Sequence, residues 1–128
     1  MSKIFVVGGP VRPCAQTTTG DLTTALGQKA DASLLFQCDI AFIGVGAASS
    51  RQGLSTGNIA EAALMRQMID HSDQVVILVD SSKLGRDIFA QIGPIELADV
   101  LVTDKTPDAD LRADLDGICL ALPGFKSP

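Results

Sequence analysis

Apolar positions along this chain fall into short runs, each cut off by glycine, proline or a polar cluster. Ile4–Val7 is β-branched and aromatic and stops at Gly8-Gly9-Pro10, which predicts a buried strand almost at the N-terminus. Val11–Thr19, rich in proline and threonine, reads as a loop. Asp21–Ala30 puts Leu22, Ala25 and Leu26 on one side of a helix, although its threonines and Gly27 weaken that pattern. Ala32–Phe36 fits either a last helical turn or a short strand. Ile40–Val45 is apolar throughout, as a parallel strand with both faces covered should be. Asn58 with Glu61 three residues on forms a capping-box pattern. It opens a helix in which Ala62, Met65 and Ile69 recur at helical spacing to about His71.

Beyond that helix, Val75–Val79 predicts a third buried strand, ended by Asp80-Ser81-Ser82-Lys83. Phe89–Ile92 reads as a short extended piece, and Pro94 starts a brief helix through Ala98. Val100–Thr103 is a fourth strand closed by Asp104. Pro107–Asp116 is an acidic helix with Leu111 and Leu115 inward, and Ile118–Leu122 is a last strand before a loose tail. Strands alternating with helices predict an α/β fold: one domain over residues 1–128, with an open, mostly parallel sheet and helices on both faces.

Composition narrows the functional classes. The 128 residues are 46% hydrophobic and 20% charged, with no Trp or Tyr, which fits a globular domain with an aliphatic core. A net charge of −5, with no basic stretch, argues against nucleic-acid binding by this segment. Cys14, Cys38 and Cys119 are odd in number and lack CxxC spacing, so neither a disulfide framework nor a zinc site is expected. Cys38 and Cys119 adjoin apolar runs and read as ordinary buried or half-buried thiols. The lone His71, near a helix end, makes a poor metal or catalytic candidate. No apolar run nears the ~18 residues of a membrane span and no signal-peptide pattern is present, so the expectation is a cytoplasmic protein without a membrane partner.

The candidate chemistry centres on Cys38–Gly57, where an apolar strand empties into a stretch of glycines and serines ahead of a helix N-terminus. In Gly44–Ser50, backbone N–H groups and hydroxyls could cradle a phosphate or sugar; equally, a strand-to-helix connection simply needs turn residues. The dinucleotide fingerprint is not met, because no glycine falls three residues after Gly46. Lys83, beyond another strand end, is either a point charge for an anion or a solvated loop residue. Arg12 is either a phosphate fork or a surface residue. The stretch Gly44–Gly53 holds no Asp or Glu, and GxSxG, P-loop and HExxH patterns are absent, so no catalytic residue, metal or cofactor is expected.

In order along the chain stand GGxxR (Gly8, Gly9, Arg12), DIAFIGVGA (Asp39–Ala47), GLSTGN (Gly53–Asn58), VILVDSSKLGR (Val76–Arg86), IGPIELAD (Ile92–Asp99) and VTD (Val102–Asp104). This succession resembles the C-terminal effector domain of DeoR-type transcriptional regulators over about residues 4 to 122. The resemblance implies a ribose-5-phosphate-isomerase-like fold, in part. It also implies a sensor, usually of a repressor, that binds a phosphorylated sugar or similar metabolite and so alters DNA binding by an N-terminal helix-turn-helix. By motif, the ligand-facing positions are Gly8, Gly9, Arg12, Gly44, Gly46, Ala47, Ser49, Gly53, Thr56, Asp80 and Lys83. The helix-turn-helix and the family's opening Asp-x-Gly-Thr-Thr loop are not in this sequence, so a fragment or a shortened reading frame is expected. Sheet edge or apolar surface left uncovered would then favour a homo-oligomer. A sugar-phosphate isomerase-like enzyme and a non-binding oligomerisation fragment are the competing expectations.

Overall fold

The computed structural model describes residues 37–123, together with the backbone of residues 11–12 and 17–18. The expected strand Ile4–Val7, the expected helix Asp21–Ala30, Ala32–Phe36 and the tail beyond Pro123 lie outside the described residues. Within Val11–Thr19, where a loop was expected, β1 (Val11–Arg12) and β2 (Thr17–Thr18) form a two-residue antiparallel ladder.

The main sheet is parallel and ordered β3-β6-β8-β9, from β3 (Cys38–Gly44), β6 (Ser72–Leu78), β8 (Val100–Val102) and β9 (Cys119–Ala121). Register aligns Ile43 with Ile77, Ile77 with Leu101 and Leu101 with Leu120, one apolar row across all four strands. Strand order follows chain order, so right-handed crossovers bring every connection to the same face of this sheet. The core confirms it: Ala41, Ile43, Val75, Ile77 and Leu101 cluster with Ala62 and Ile69 of α1 (Ile59–Asp70) and Leu111 of α2 (Ala109–Asp114). Ile77 and Leu101 are fully buried, each stabilising the fold by roughly 2–3 kcal/mol.

The opposite face carries no helix among the described residues. Ile40 and Phe42 alternate with the buried Ala41 and Ile43 on β3, and they are 41% and 63% exposed. Leu78 on β6 is 40% exposed.

Local chemistry explains the helix ends. The Asn58 side chain accepts the Glu61 N–H at 3.0 Å, and His71 closes the C-terminus of α1, as the capping pattern predicts. α2 is shorter than the predicted Pro107–Asp116, because the Asp108 carboxylate accepts the Leu111 N–H and sets the start. The brief helix expected from Pro94 is a single 3₁₀ turn, Ile95–Leu97. Cys119 is exposed rather than half-buried, since β9 is the last strand of the sheet; Cys38 is half-buried.

The main correction concerns Gly44–Thr56, expected to be a small-residue connection from strand to helix. It folds as a hairpin of β4 (Ala47–Ser49) and β5 (Gly53–Thr56). This hairpin joins β7 (Ala90–Gly93) in a second, antiparallel sheet ordered β4-β5-β7. All seven residues of β4 and β5 are buried, so their small size is a packing requirement. Gly53 shows it directly: its φ is +76°, and an added Cβ would lie 2.8 Å from Pro94 Cα.

Candidate functional site

The parallel strands bring four chain segments to one edge. Gly44, Leu78, Val102 and Ala121 form the last register row, and the residues just beyond it stand at the carboxyl ends of the strands. In open α/β sheets that edge is where ligands bind. Here it holds a cavity of about 750 Å³ lined by Val45, Asp80, Lys83, Thr103 and Asp104, with apolar walls including Leu78 and Val102. The volume suits a small metabolite.

Its polar groups are held by short-range geometry. After β6 the chain makes a 3₁₀ turn, Ser81–Lys83, closed by the Lys83 N–H donating to the Asp80 carbonyl at 2.9 Å. The turn directs Lys83 back to the cavity that Asp80 also lines. The Ser82 hydroxyl donates to the Asp80 carboxylate at 2.6 Å. The Asp104 carboxylate accepts both the Ser81 backbone N–H at 2.6 Å and the Ser81 hydroxyl at 3.0 Å. These bonds favour the ionised carboxylate and hold it below its ordinary pKa of 3.8, the Ser81 backbone bond contributing most. Thr103 is 4% exposed and its enclosed Oγ1 has no hydrogen-bond partner among the described residues.

The residues named from sequence separate into groups. Asp80 and Lys83 meet in the cavity, and Gly44 stands on the same edge, where an added Cβ would meet nothing within 4 Å. Gly46, Ala47, Ser49, Gly53 and Thr56 belong to the hairpin region. Ile88 packs against Gly46, its Cδ1 only 2.6 Å from where a Cβ would sit, and Ala47 is fully buried. Ser49 is 3% exposed, and its hydroxyl donates to Asp87 while accepting the Gln52 N–H at 3.0 Å. Arg51 pairs with the second Asp87 oxygen at 2.6 Å and closes the clamp. Thr56 is buried in β5 opposite Ala90. Gly8 and Gly9 lie outside the described residues, and the Arg12 backbone pairs with Thr17.

Thr103 and Asp104 are the polar cavity residues, among those described, that sequence reasoning did not name as ligand-facing. The signal was present: like Asp80, they are polar groups immediately after a buried parallel strand. The acid-free loop also proved the wrong place to look for carboxylates, because Asp80 and Asp104 reach the cavity from two other strand ends.

Residues 1–105 match the family model described as the DeoR C-terminal sensor domain. This chain belongs to that family. The DeoR sensor domain has the sugar-phosphate-isomerase-like fold, so the fold expected from the ordered motifs holds. The chain is 30% identical over 90% of its length to the HTH-type transcriptional regulator GlpR of Haloferax volcanii, covering 43% of that protein. It is 30% identical over 84% of its length to the putative aga operon transcriptional repressor of Escherichia coli O157:H7, covering 38%. Similarity to the glycerol-3-phosphate regulon repressor of Escherichia coli K12 is 28% over 82% of the chain, covering 39% of that repressor. The chain therefore spans about two fifths of the length of these relatives. No helix among the described residues is long and apolar enough to cross a membrane.

Proposed function

We propose that this DeoR sensor domain binds a phosphorylated sugar or a related anionic metabolite at the carboxyl edge of its parallel sheet. Binding then alters DNA affinity in a helix-turn-helix segment, as part of a cytoplasmic repressor. The observation that carries the reading is the cavity where Asp80 and Lys83 face a common space at the strand ends. Relatives named as a glycerol-3-phosphate regulon repressor and a lactose phosphotransferase system repressor support a phosphorylated metabolite. The acidic balance of this segment leaves DNA contact to residues outside it.

The site is read as non-catalytic. Relatives named as transcriptional regulators and repressors support that reading. A homo-oligomer is part of the same proposal, supported by the exposed Ile40, Phe42 and Leu78 on the sheet face that carries no helix among the described residues. Sedimentation showing a monomer at all concentrations would remove that part.

Calorimetry against ribose 5-phosphate, fructose 6-phosphate and glycerol 3-phosphate tests the main reading. At least one should bind, and Lys83→Ala should weaken it about tenfold or more. Absence of binding to any of them, with the fold intact, would leave an oligomerisation fragment. Turnover of a sugar phosphate that disappears in Lys83→Ala would establish an isomerase-like enzyme instead.

A further inference from the structure

Lys83 stands on a stretch that neither a strand nor an α-helix carries. Between β6 and β7 the chain holds one 3₁₀ turn, Ser81–Lys83, and an isolated bridge from Leu84 to Ala48. A lysine is a point charge on a flexible stem, so its aim depends on how firmly its backbone is held.

The front of this stretch is tied to the parallel sheet, where Ser81 donates to Asp104 from both its backbone N–H and its hydroxyl. Its rear is tied to the β4–β5 hairpin. The Gly85 N–H donates to the Ala48 carbonyl at 2.7 Å, and the Ile88 N–H to the Ser55 hydroxyl at 3.2 Å. Asp87 adds a side-chain clamp: one carboxylate oxygen accepts the Ser49 hydroxyl, and the other pairs with Arg51. The two halves differ in weight. The Arg51 side chain is 81% exposed, so its ion pair is screened by solvent and adds little. Ser49 is buried, and its hydroxyl also accepts the Gln52 N–H, which fixes its direction. Removing the carboxylate would leave that enclosed hydroxyl without its acceptor. Gly85 lies between Lys83 and Asp87 with φ +80°, and nothing comes within 4 Å of where a Cβ would sit. No neighbour props the chain at that point, so the bonds beyond it set its course.

We infer that Asp87 is a positioning residue. By fastening residues 84–88 to the hairpin, it sets where Lys83 presents its ammonium at the strand ends. Lys83 lines the carboxyl-edge cavity, whereas Asp87 is not among the described residues that do, so it acts through the backbone rather than on the ligand. The inference rests on reading Lys83 as a ligand-binding residue of a sugar-phosphate sensor. It gives the small-residue hairpin a part in that site as its support.

The test pairs hydrogen exchange with calorimetry on the whole chain. The N–H groups of Lys83, Leu84 and Gly85 donate to Asp80, Ser81 and Ala48, so their exchange reports on the turn. Asp87→Ala should speed exchange about tenfold at these three amides and leave Val76 and Ile77 of β6 within about twofold. Ser49→Ala removes the other partner and should give the same pattern, which keeps the test open if Asp87→Ala does not fold. Asp87→Asn retains an oxygen for Ser49 and should show the smallest change. With ribose 5-phosphate, fructose 6-phosphate or glycerol 3-phosphate, whichever binds, Asp87→Ala should weaken affinity about fivefold. In a Lys83→Ala background the same substitution should cost nothing further, because its effect runs through Lys83. Unchanged exchange at the turn, or equal acceleration throughout β6, would overturn the inference. So would an affinity loss that persists in full without Lys83. Local acceleration in a chain that binds none of the three sugar phosphates would uphold the fastening by Asp87 and remove the sensor reading alone.

Discussion

Two regions rich in small and polar residues flank the carboxyl edge of the parallel sheet, and they use those residues for opposite ends. In the β4–β5 hairpin, Gly46, Ala47, Ser49 and Gly53 are filled in by neighbours, and the Ser49 hydroxyl is saturated by Asp87 and Gln52. At the ends of β6 and β8, Asp80 and Lys83 line an open cavity, and the buried Thr103 hydroxyl has no partner among the described residues. The comparison teaches that a glycine- and serine-rich motif marks a site only where its small residues leave room. Whether they do is a matter of what packs on them from elsewhere in the chain.

The contrast can be broken most strongly at the hairpin. Gly53→Ala combines a left-handed backbone, φ +76°, with a Cβ driven against the Pro94 backbone, and should destabilise the domain by about 3 kcal/mol in urea unfolding. Gly46→Ala meets the movable tip of Ile88 and, at 3.3 Å, the fixed Thr56 Cα. Its cost should be smaller, about 1–2 kcal/mol. Stability close to wild type in both variants would mean that the hairpin glycines are not packing devices.

At the cavity the sign reverses. Thr103→Val replaces an unpartnered buried hydroxyl by a methyl group and should raise stability by about 1 kcal/mol, seen as a Tm increase of a few degrees. A drop in Tm would show that the hydroxyl has a partner in solution. Asp104 offers a finer test. Its folded pKa lies below the ordinary 3.8, so its contribution is fully present above that value and is lost as pH falls through the lower, folded value. The stability gap between wild type and Asp104→Asn should be flat at neutral pH and shrink only in acid below about pH 4, measured by circular dichroism of acid unfolding. The smallest effect belongs to Gly44→Ala. With nothing within 4 Å of the new methyl, it should change stability by less than about 0.5 kcal/mol.

Much of the fold was legible because its signals are local. The apolar runs at Ile40–Val45, Val75–Val79 and Val100–Thr103 became β3, β6 and β8, with ends shifted by at most three residues. Asn58 capped α1 as its spacing predicts, since an N-cap bond spans only three residues. The hairpin was missed because Ala47–Ser49 and Gly53–Thr56 lack the alternation of a half-buried strand, being buried on both faces and made of small residues. Of the site, Asp80 and Lys83 were readable from their place after a strand. Asp104 stood in the same kind of place after β8, but its bond to Ser81, 23 residues away, depends on the tertiary fold.

By itself, then, the sequence determined the α/β class, the main parallel strands, the capped helix and the DeoR sensor family, all carried by periodicity and by motifs in order. Tertiary structure decided the rest. A strand order that follows chain order sent the crossovers to one face and left Phe42 and its neighbours on the other. Packing by Ile88 and Pro94 turned the glycines of the hairpin into core positions. Register alone set Asp80, Lys83, Thr103 and Asp104 around one cavity, because hydrogen bonds between parallel strands, not nearness in sequence, decide which chain ends stand side by side.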